Sequence, residues 1–337
     1  MSKACSCTFA LVPLAIVVGL GIGHFFPEFG TMLGTASDPI VLLLLTLVFF
    51  DARFGPEFKT SGHLGFLSLA WVANFVLIPI LAWSISSLFF GNQPALRIGL
   101  LLYFLFPCTD WFLAFTRMSK GDVSLGSVLI PINLVSQLLL FPLYLALFAF
   151  LQPSLFTGFQ ANLDLIGISW TIGKWFLFPF FAAILTRLLF SRLWSAERNE
   201  ALRGCVGTAV PWVLAALVLC IFSSNASELT KHPSAFPLIL LAVFLFFLLT
   251  WLCGEFLGAR FRLTHPRKAL LAITMTARNS PLMLGLATVA FPNQPLIYAA
   301  LIIGMLVEFP HLTILSRLMS QKAEQKESAP GKLVTNE

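Results

Sequence analysis

Between Arg97 and Arg117 the chain reads RIGLLLYFLFPCTDWFLAFTR, and between Leu270 and Phe291 it reads LLAITMTARNSPLMLGLATVAF. Each stretch is long enough to cross a bilayer as a helix, which takes about 20 residues. Each also carries proline and polar groups near its middle: Pro107-Cys108-Thr109-Asp110 in the first, Thr276-Ala277-Arg278-Asn279-Ser280-Pro281 in the second. Proline removes a backbone donor and clashes with the preceding turn, so both helices are expected to break there. Interrupted spans at corresponding places in two halves of a chain point to a secondary transporter with its binding site at the breaks. The alternative is a pair of proline-kinked helices in a bundle. The polar residues beside both prolines favour a site.

The rest of the chain has the composition of such a protein. Of 337 residues 58% are hydrophobic and 11% are charged, less than half the usual charged quarter. That excludes a soluble enzyme, a disordered protein and a nucleic-acid binder. The apolar residues form unbroken runs rather than an alternation, which excludes a β-barrel and predicts an all-α polytopic membrane protein. Charges divide the runs into spans near 8–26, 36–52, 64–88, 98–117, 123–151, 164–187, 204–224, 235–255, 270–291 and 295–317. The first is read as a span rather than a signal peptide, because no small-residue cleavage site is clear. The polar stretch 321–337 is expected to be a disordered cytoplasmic tail.

Lysine and arginine give the orientation, because they are held on the cytoplasmic side. With the N-terminus inside, 17 of the 21 basic residues fall on inner segments; only Arg97 and Lys231 fall outside, and Lys174 and Arg278 lie within spans. Both termini are therefore expected in the cytoplasm, and the basic pI of 9.1 reflects this bias rather than a nucleic-acid partner. Five spans that begin inside end outside, so a second set of five runs inverted. The predicted fold is ten transmembrane helices in a 5+5 inverted repeat, with repeats over 1–151 and 164–320 and breaks in the fourth and ninth helices. A weak echo supports it: Phe141-Pro142 in the fifth span and Phe309-Pro310 in the tenth. No phosphate-binding G-x-x-x-x-G-K-[ST] is present, and the longest inner loop is 188–203. Transport would draw on an ion gradient, the membrane potential or a separate subunit.

Charges inside spans are rare because each costs about 2.5–3.5 kcal/mol on insertion scales. Four stand out: Asp110, Lys174, Arg278 and Glu308. A carboxyl in a water-poor site is suited to carry a proton, and Glu308 lies midway along the tenth span. The bland reading is a structural, hydrogen-bonded glutamate. Asp110 and Arg278 stand in the two breaks, placed either to neutralise each other or, in the case of the arginine, to hold an anionic substrate. Lys174 is expected to snorkel to an interface. Cys108, next to Pro107, offers a soft sulfur ligand or is simply a small buried hydrophobe. Cys5 and Cys7, at the cytoplasmic end of the first span, either bind a thiophilic species or do nothing specific, the second being favoured. Asn133 and Gln137 share a helix face one turn apart and either line a cavity or bridge helices. His311, close to Glu308, either relays protons or packs. No metal-ligand cluster and no nucleophile–base pair appears, so neither an enzyme nor a cofactor is expected.

Pro107-Cys108-Thr109 followed by Lys120-Gly121-Asp122 resembles the fourth span of the bile acid/sodium symporter superfamily. Together with Asn133, Thr276-Ala277, Asn279-Ser280 and Glu308-Phe309-Pro310 it is most similar to the arsenite-permease branch, the third type of arsenical-resistance transporter. The resemblance covers all ten spans in layout and is specific in the fourth, fifth, ninth and tenth. It implies crossed, broken fourth and ninth helices in a core domain that moves against a panel of the first, second, sixth and seventh. It implies Cys108 as the contact to trivalent arsenic and Glu308 as the carrier of the counter-transported proton. Thr109, Asp110, Asn133, Arg278, Asn279 and Ser280 then line the substrate site. The sodium-coupled branch places oxygen ligands where this chain has Phe112, Leu113, Thr274 and Arg278. Phe112 and Leu113 offer no oxygen to a hard cation, which argues against sodium. This chain differs from the usual arsenite permease at Asp110 and Arg278, and at Leu282 in place of a glutamate. The expected function is export of arsenite or antimonite across the plasma (inner) membrane by proton antiport. The alternative is ion-coupled transport of a small organic anion held by Arg278.

Overall fold

The computed structural model describes residues 3–51, 63–109, 112–156, 165–230 and 233–328. Its helices, in chain order, begin with α1 (Lys3–Phe25), α2 (Pro27–Gly34) and α3 (Ser37–Asp51). Next come α4 (Leu64–Val72) and α5 (Ile78–Phe90), joined by a single π turn, Ala73–Leu77. They are followed by α6 (Pro94–Leu105), α7 (Phe112–Met118), α8 (Val123–Leu151), α9 (Leu165–Leu193) and α10 (Ala196–Ser224). A short α11 (Ala226–Leu229) leads to α12 (Ala235–Arg260), α13 (His265–Thr276), α14 (Ser280–Ala290) and α15 (Pro295–Ser328). Among the described residues the only β pairing is one isolated bridge, between Pro107 and Arg278.

Apart from a few end residues and the two breaks, 106–109 and 277–279, every stretch expected to span is helical over its described residues. Five are by themselves long and apolar enough to cross a bilayer: Leu64–Phe90, Val123–Leu151, Glu197–Ser224, Ala235–Arg260 and Pro295–Glu324. α2 and α3, bent by 45° at their junction, make a sixth if taken as one span. Large apolar side chains such as Leu88, Phe150 and Phe256 stand exposed on the outer faces, which suits lipid rather than water. The chain is a multi-pass helical membrane protein.

The interruptions fall where the sequence expects them. α6 ends at Leu105 and the chain turns extended at Phe106 (φ −119°, ψ 136°). α13 ends at Thr276, Ala277 is extended (φ −70°, ψ 128°), and α14 restarts at Ser280 with Pro281 in its first turn. Proline is tolerated there because that N–H has no partner within the helix. One difference concerns the C-terminal end. α15 continues to Ser328, past the residue 320 at which order was expected to stop. Its added turns carry charges that find partners: Lys120 Nζ lies 3.3 Å from Glu324 and Lys322 Nζ 3.5 Å from Glu255. Glu255 also holds Lys268 at 2.6 Å. Residues 329–337 lie outside the described residues.

The helices sort into two groups. α1, α2, α3, α9 and α10 pack mainly on one another, as do α4–α8 with α12, α13 and α15, while α14 lies between the groups and touches both. In the first group, Gly19 and Gly23 of α1 face α10 one turn apart, and a Cβ on Gly23 would collide with the Ser223 carbonyl. Small residues at four-residue spacing allow such close approach between membrane helices. In the second group, Gly304 of α15 lies under the Tyr103 ring of α6, 2.7 Å from where its Cβ would stand. That contact sets Tyr103 beside Glu308, one turn further along α15.

The packing separates two neighbouring glycines. Gly23→Leu is expected to force α1 from α10 and lower the melting temperature of the detergent-purified protein by several degrees, for a loss of about 2 kcal/mol or more. Gly21→Leu, where a side chain meets open space, is expected to melt like the wild type. Equal melting of the two variants would refute this close packing.

Candidate functional site

The two breaks meet and pair. The Cys108 N–H donates to the Ala277 carbonyl at 2.9 Å, and the Asn279 N–H donates to the Phe106 carbonyl at 3.0 Å. This short antiparallel bridge joins the interrupted segments and leaves four half-helices radiating from it. Two helix C-termini, of α6 and α13, and the N-terminus of α14 converge there. A helix C-terminus carries partial negative charge and an N-terminus partial positive charge.

Arg278 answers the C-termini. Its guanidinium is fully buried. Nη1 donates to the Phe104 carbonyl at 3.0 Å. Nη2 donates to Thr274 at 2.9 Å and Met275 at 2.7 Å, and Nε to Thr276 at 3.3 Å. Four of its five N–H donors are thus directed at backbone carbonyls. The Phe246 ring covers the cation, with Cζ 5.6 Å from the ring centroid, and Phe104 stacks on that ring at 4.1 Å.

Glu308 answers the N-terminus of α14. One carboxylate oxygen accepts the Arg278 backbone N–H at 2.8 Å. The other accepts the Ser280 hydroxyl at 3.0 Å and the Tyr103 hydroxyl at 3.3 Å. The carboxylate is fully buried and is held by donors from α6, the second break and α14. A single residue, Arg278, therefore contacts the acidic group with its main chain and the helix C-termini with its side chain.

A third layer is made of uncharged polar groups. Asn279 Nδ2 donates to Thr109 Oγ1 at 3.1 Å and to Gln137 Oε1 at 3.3 Å. Asn74, on the π turn, donates to Thr274 Oγ1 at 3.2 Å. The Tyr144 hydroxyl donates to the Phe75 carbonyl, fastening the π turn to α8. Asn74, Asn133, Gln137 and Asn279 are all buried. Both amide atoms of Asn133, Asn74 Oδ1, Gln137 Nε2 and Asn279 Oδ1 make no hydrogen bond among the described residues. Buried polar atoms are ordinarily paired, so such a concentration is expected where a solute or water is received.

The sequence-derived candidates separate clearly. Cys108, Thr109, Arg278, Asn279, Ser280 and Glu308 lie in or against the joined breaks, and Gln137 reaches them through Asn279. Asn133 stands one turn from Gln137 on the same face of α8. Asp110 lies outside the described residues, as do the side chains of Lys174, Cys5 and Cys7. His311 stacks on Phe247, with ring centroids 4.5 Å apart, in the packing arrangement rather than in a chain with Glu308. Two site residues were not anticipated. Tyr103 sits in an apolar run and reads as packing. Asn74 is a lone amide in an apolar span, which was its only signal.

The sequence model described as the Sodium Bile acid symporter family matches residues 58–232. A relative named arsenical-resistance protein Acr3, from Corynebacterium glutamicum, is 25% identical over 326 residues, covering 89% of this chain and 85% of the relative. An uncharacterized protein, YbaS of Bacillus subtilis, is 24% identical over 302 residues, covering 88% of this chain and 92% of the relative.

Two amides of the polar layer should respond oppositely. Asn279→Ala removes the bonds to Thr109 and to the buried Gln137 Oε1 and is expected to destabilise the protein by about 1–3 kcal/mol. Asn133→Ala removes two buried groups that have no partner among the described residues and is expected to melt at or above the wild-type temperature. Thermal unfolding in detergent checks both, and a marked loss in Asn133→Ala would show that its amide is structurally satisfied.

Proposed function

The chain belongs to the Sodium Bile acid symporter family, and on that premise we propose that it exports arsenite from the cytoplasm in exchange for protons. Membership makes it an ion-coupled membrane transporter; the substrate and the coupling ion are the proposal. Ten helices, five in each of two inverted repeats over 1–151 and 164–320, would cross the plasma membrane with both termini in the cytoplasm. The excess of lysine and arginine on one set of loops supports that orientation.

The observation that carries the reading is the buried Glu308 carboxylate, gripped by the second break and by Tyr103. An ionised Glu308 stabilises the N-terminus of α14 and accepts all three donors. Protonation removes the anion from that helix end and turns one oxygen into a donor. α15 and the joined breaks are then held differently in the two protonation states, which is what a proton-coupled conformational change requires. Cys108, buried at the first break, supplies the soft ligand that trivalent arsenic prefers. The name of the Corynebacterium relative supports the same cargo.

The amide layer favours a small hydroxyl-rich oxyacid. Amide groups offer donors and acceptors together and suit arsenite or antimonite. An organic carboxylate is the second reading, and Arg278 was its anchor. That guanidinium already directs four N–H groups at carbonyls, which weighs against it. A single thiol and a few amides give weak contact, and weak contact assists release.

The test is arsenite accumulation in everted membrane vesicles with and without an imposed proton gradient. Gradient-driven accumulation is expected. Cys108→Ala should reduce it by about tenfold, the loss of about 1.4 kcal/mol of contact. Glu308→Gln should bind arsenite yet lose its response to the gradient. Full transport by Cys108→Ala would sink the thiol contact. No accumulation, with uptake of an organic acid instead, would replace arsenite by the second reading.

A further inference from the structure

We infer that Arg278 is a tethered cation: its guanidinium fills a cation-binding cradle formed by the converging C-termini of α6 and α13, so the transporter works without an inorganic cation at the crossing. The carbonyl accounting supports this. A helix leaves its last four C=O groups without partners within the helix. In α13 these belong to Ile273, Thr274, Met275 and Thr276. The Ile273 carbonyl accepts the Ala277 N–H at 2.8 Å, and the other three accept from the Arg278 guanidinium. α6 adds the Phe104 carbonyl. Four carbonyl oxygens from two negative helix ends therefore close on one positive group.

Such a cradle is what transporters use to bind coupling cations, with unwound carbonyls and half-helix C-termini as ligands. Here the positive charge is covalently attached. Burial of an isolated guanidinium is strongly unfavourable. It is offset by the carbonyls, the Phe246 ring 5.6 Å away and the nearby Glu308 carboxylate, which binds the Arg278 main chain. Among the described residues, Glu308 on α15, Tyr103 on α6 and Cys108 in the first break are the titratable groups that face the guanidinium. A guanidinium that served only to pair an acid would turn toward it. This one turns its donors to the backbone instead.

The consequence is a latent cation site. Arg278→Ala removes the charge and leaves the four carbonyls around a space of guanidinium size. A free small cation should occupy it. Guanidinium matches the deleted group, and sodium is the smaller alternative for oxygen ligands.

The measurement is thermal unfolding of the detergent-purified full chain in choline chloride, with sodium chloride or millimolar guanidinium chloride exchanged in. It needs no substrate, so its outcome is separate from whether arsenite is the cargo. The wild type is expected to melt at one temperature in all three. Arg278→Ala is expected to melt lower in choline and to rise by several degrees with guanidinium or sodium, as a ligand that binds only the folded state raises stability. Proton-driven transport in the variant should recover in the same media, by about tenfold where the cradle is refilled. If Arg278→Ala does not accumulate, Arg278→Lys and Arg278→Gln replace it. The lysine variant keeps the charge and should ignore added cations, and the neutral glutamine variant should respond to them. The inference is overturned if neither neutral variant responds to any cation, or if sodium stabilises the wild type as much as the variant.

Discussion

Lipid cannot satisfy a backbone donor or acceptor, so a helix broken inside a bilayer must have its freed groups met by the protein itself. Two such breaks lie side by side here, and the interior is organised around closing them. The Cys108 and Asn279 N–H groups close on carbonyls of the opposite break. Arg278 closes the ends of α6 and α13, and Glu308 closes the start of α14. The packing follows from these bonds. Phe246 on α12 covers the guanidinium, and Gly304 brings α15 close enough to Tyr103 for Glu308 to reach both α6 and the second break.

The two charges occupy opposite electrostatic ends of the same crossing. The cation sits where two helix dipoles present negative charge, and the anion sits where one presents positive charge. Arg278 connects them within one residue, main chain to Glu308 and side chain to the carbonyls. A change in the protonation of Glu308 therefore acts directly on the residue that holds α6 and α13 together. The uncharged amides beside them are different in kind. Asn133 and parts of Asn74, Gln137 and Asn279 have no protein partner among the described residues. Burying unpaired groups lowers stability, and proteins retain such groups where a ligand completes them. The strained part of the interior and the proposed substrate path are the same place.

Much of this was legible in the sequence, and what was not has a physical reason. Pro107 and Pro281 fix the breaks because proline acts through local backbone geometry. Arg278 and Glu308 stand out because charge in an apolar span is costly. Asn133 and Gln137 follow from helical spacing. The partners of Arg278 did not follow. Its acceptors are backbone carbonyls, and these are the same whatever the residue, so sequence offered Asp110 or a substrate instead. Asn74 depends on a π turn, which has no residue signature. Tyr103 donates from within an aromatic-rich run that reads as packing. The extra turns of α15 meet Glu255 and Lys120, residues distant in the chain, and contacts of that kind are not legible in a polar segment that reads as disordered.

The bonding also constrains how an alternating-access cycle, if the proposed function holds, would move. Opening the crossing itself would break two main-chain bonds, the guanidinium bond to Phe104 and the Asn279–Thr109 bond together. At about 0.5–1.5 kcal/mol net for each bond, and more for buried groups left unpaired, that is a large fraction of the stability of an ordinary domain. The boundary between the two helix groups is different. There α14 meets α3 and α9, and α15 meets α1; Gly285 of α14 abuts the Leu45 side chain of α3 through apolar contact. Apolar surfaces exchange neighbours without leaving a donor or acceptor unpaired. The joined breaks, α12 and α15 would then travel as one body past α1, α2, α3, α9 and α10, carrying the bound solute with them. In that motion Glu308 would stay beside Arg278, and under the proposed mechanism the gain or loss of its proton would bias which side the cavity faces while the crossing stays intact.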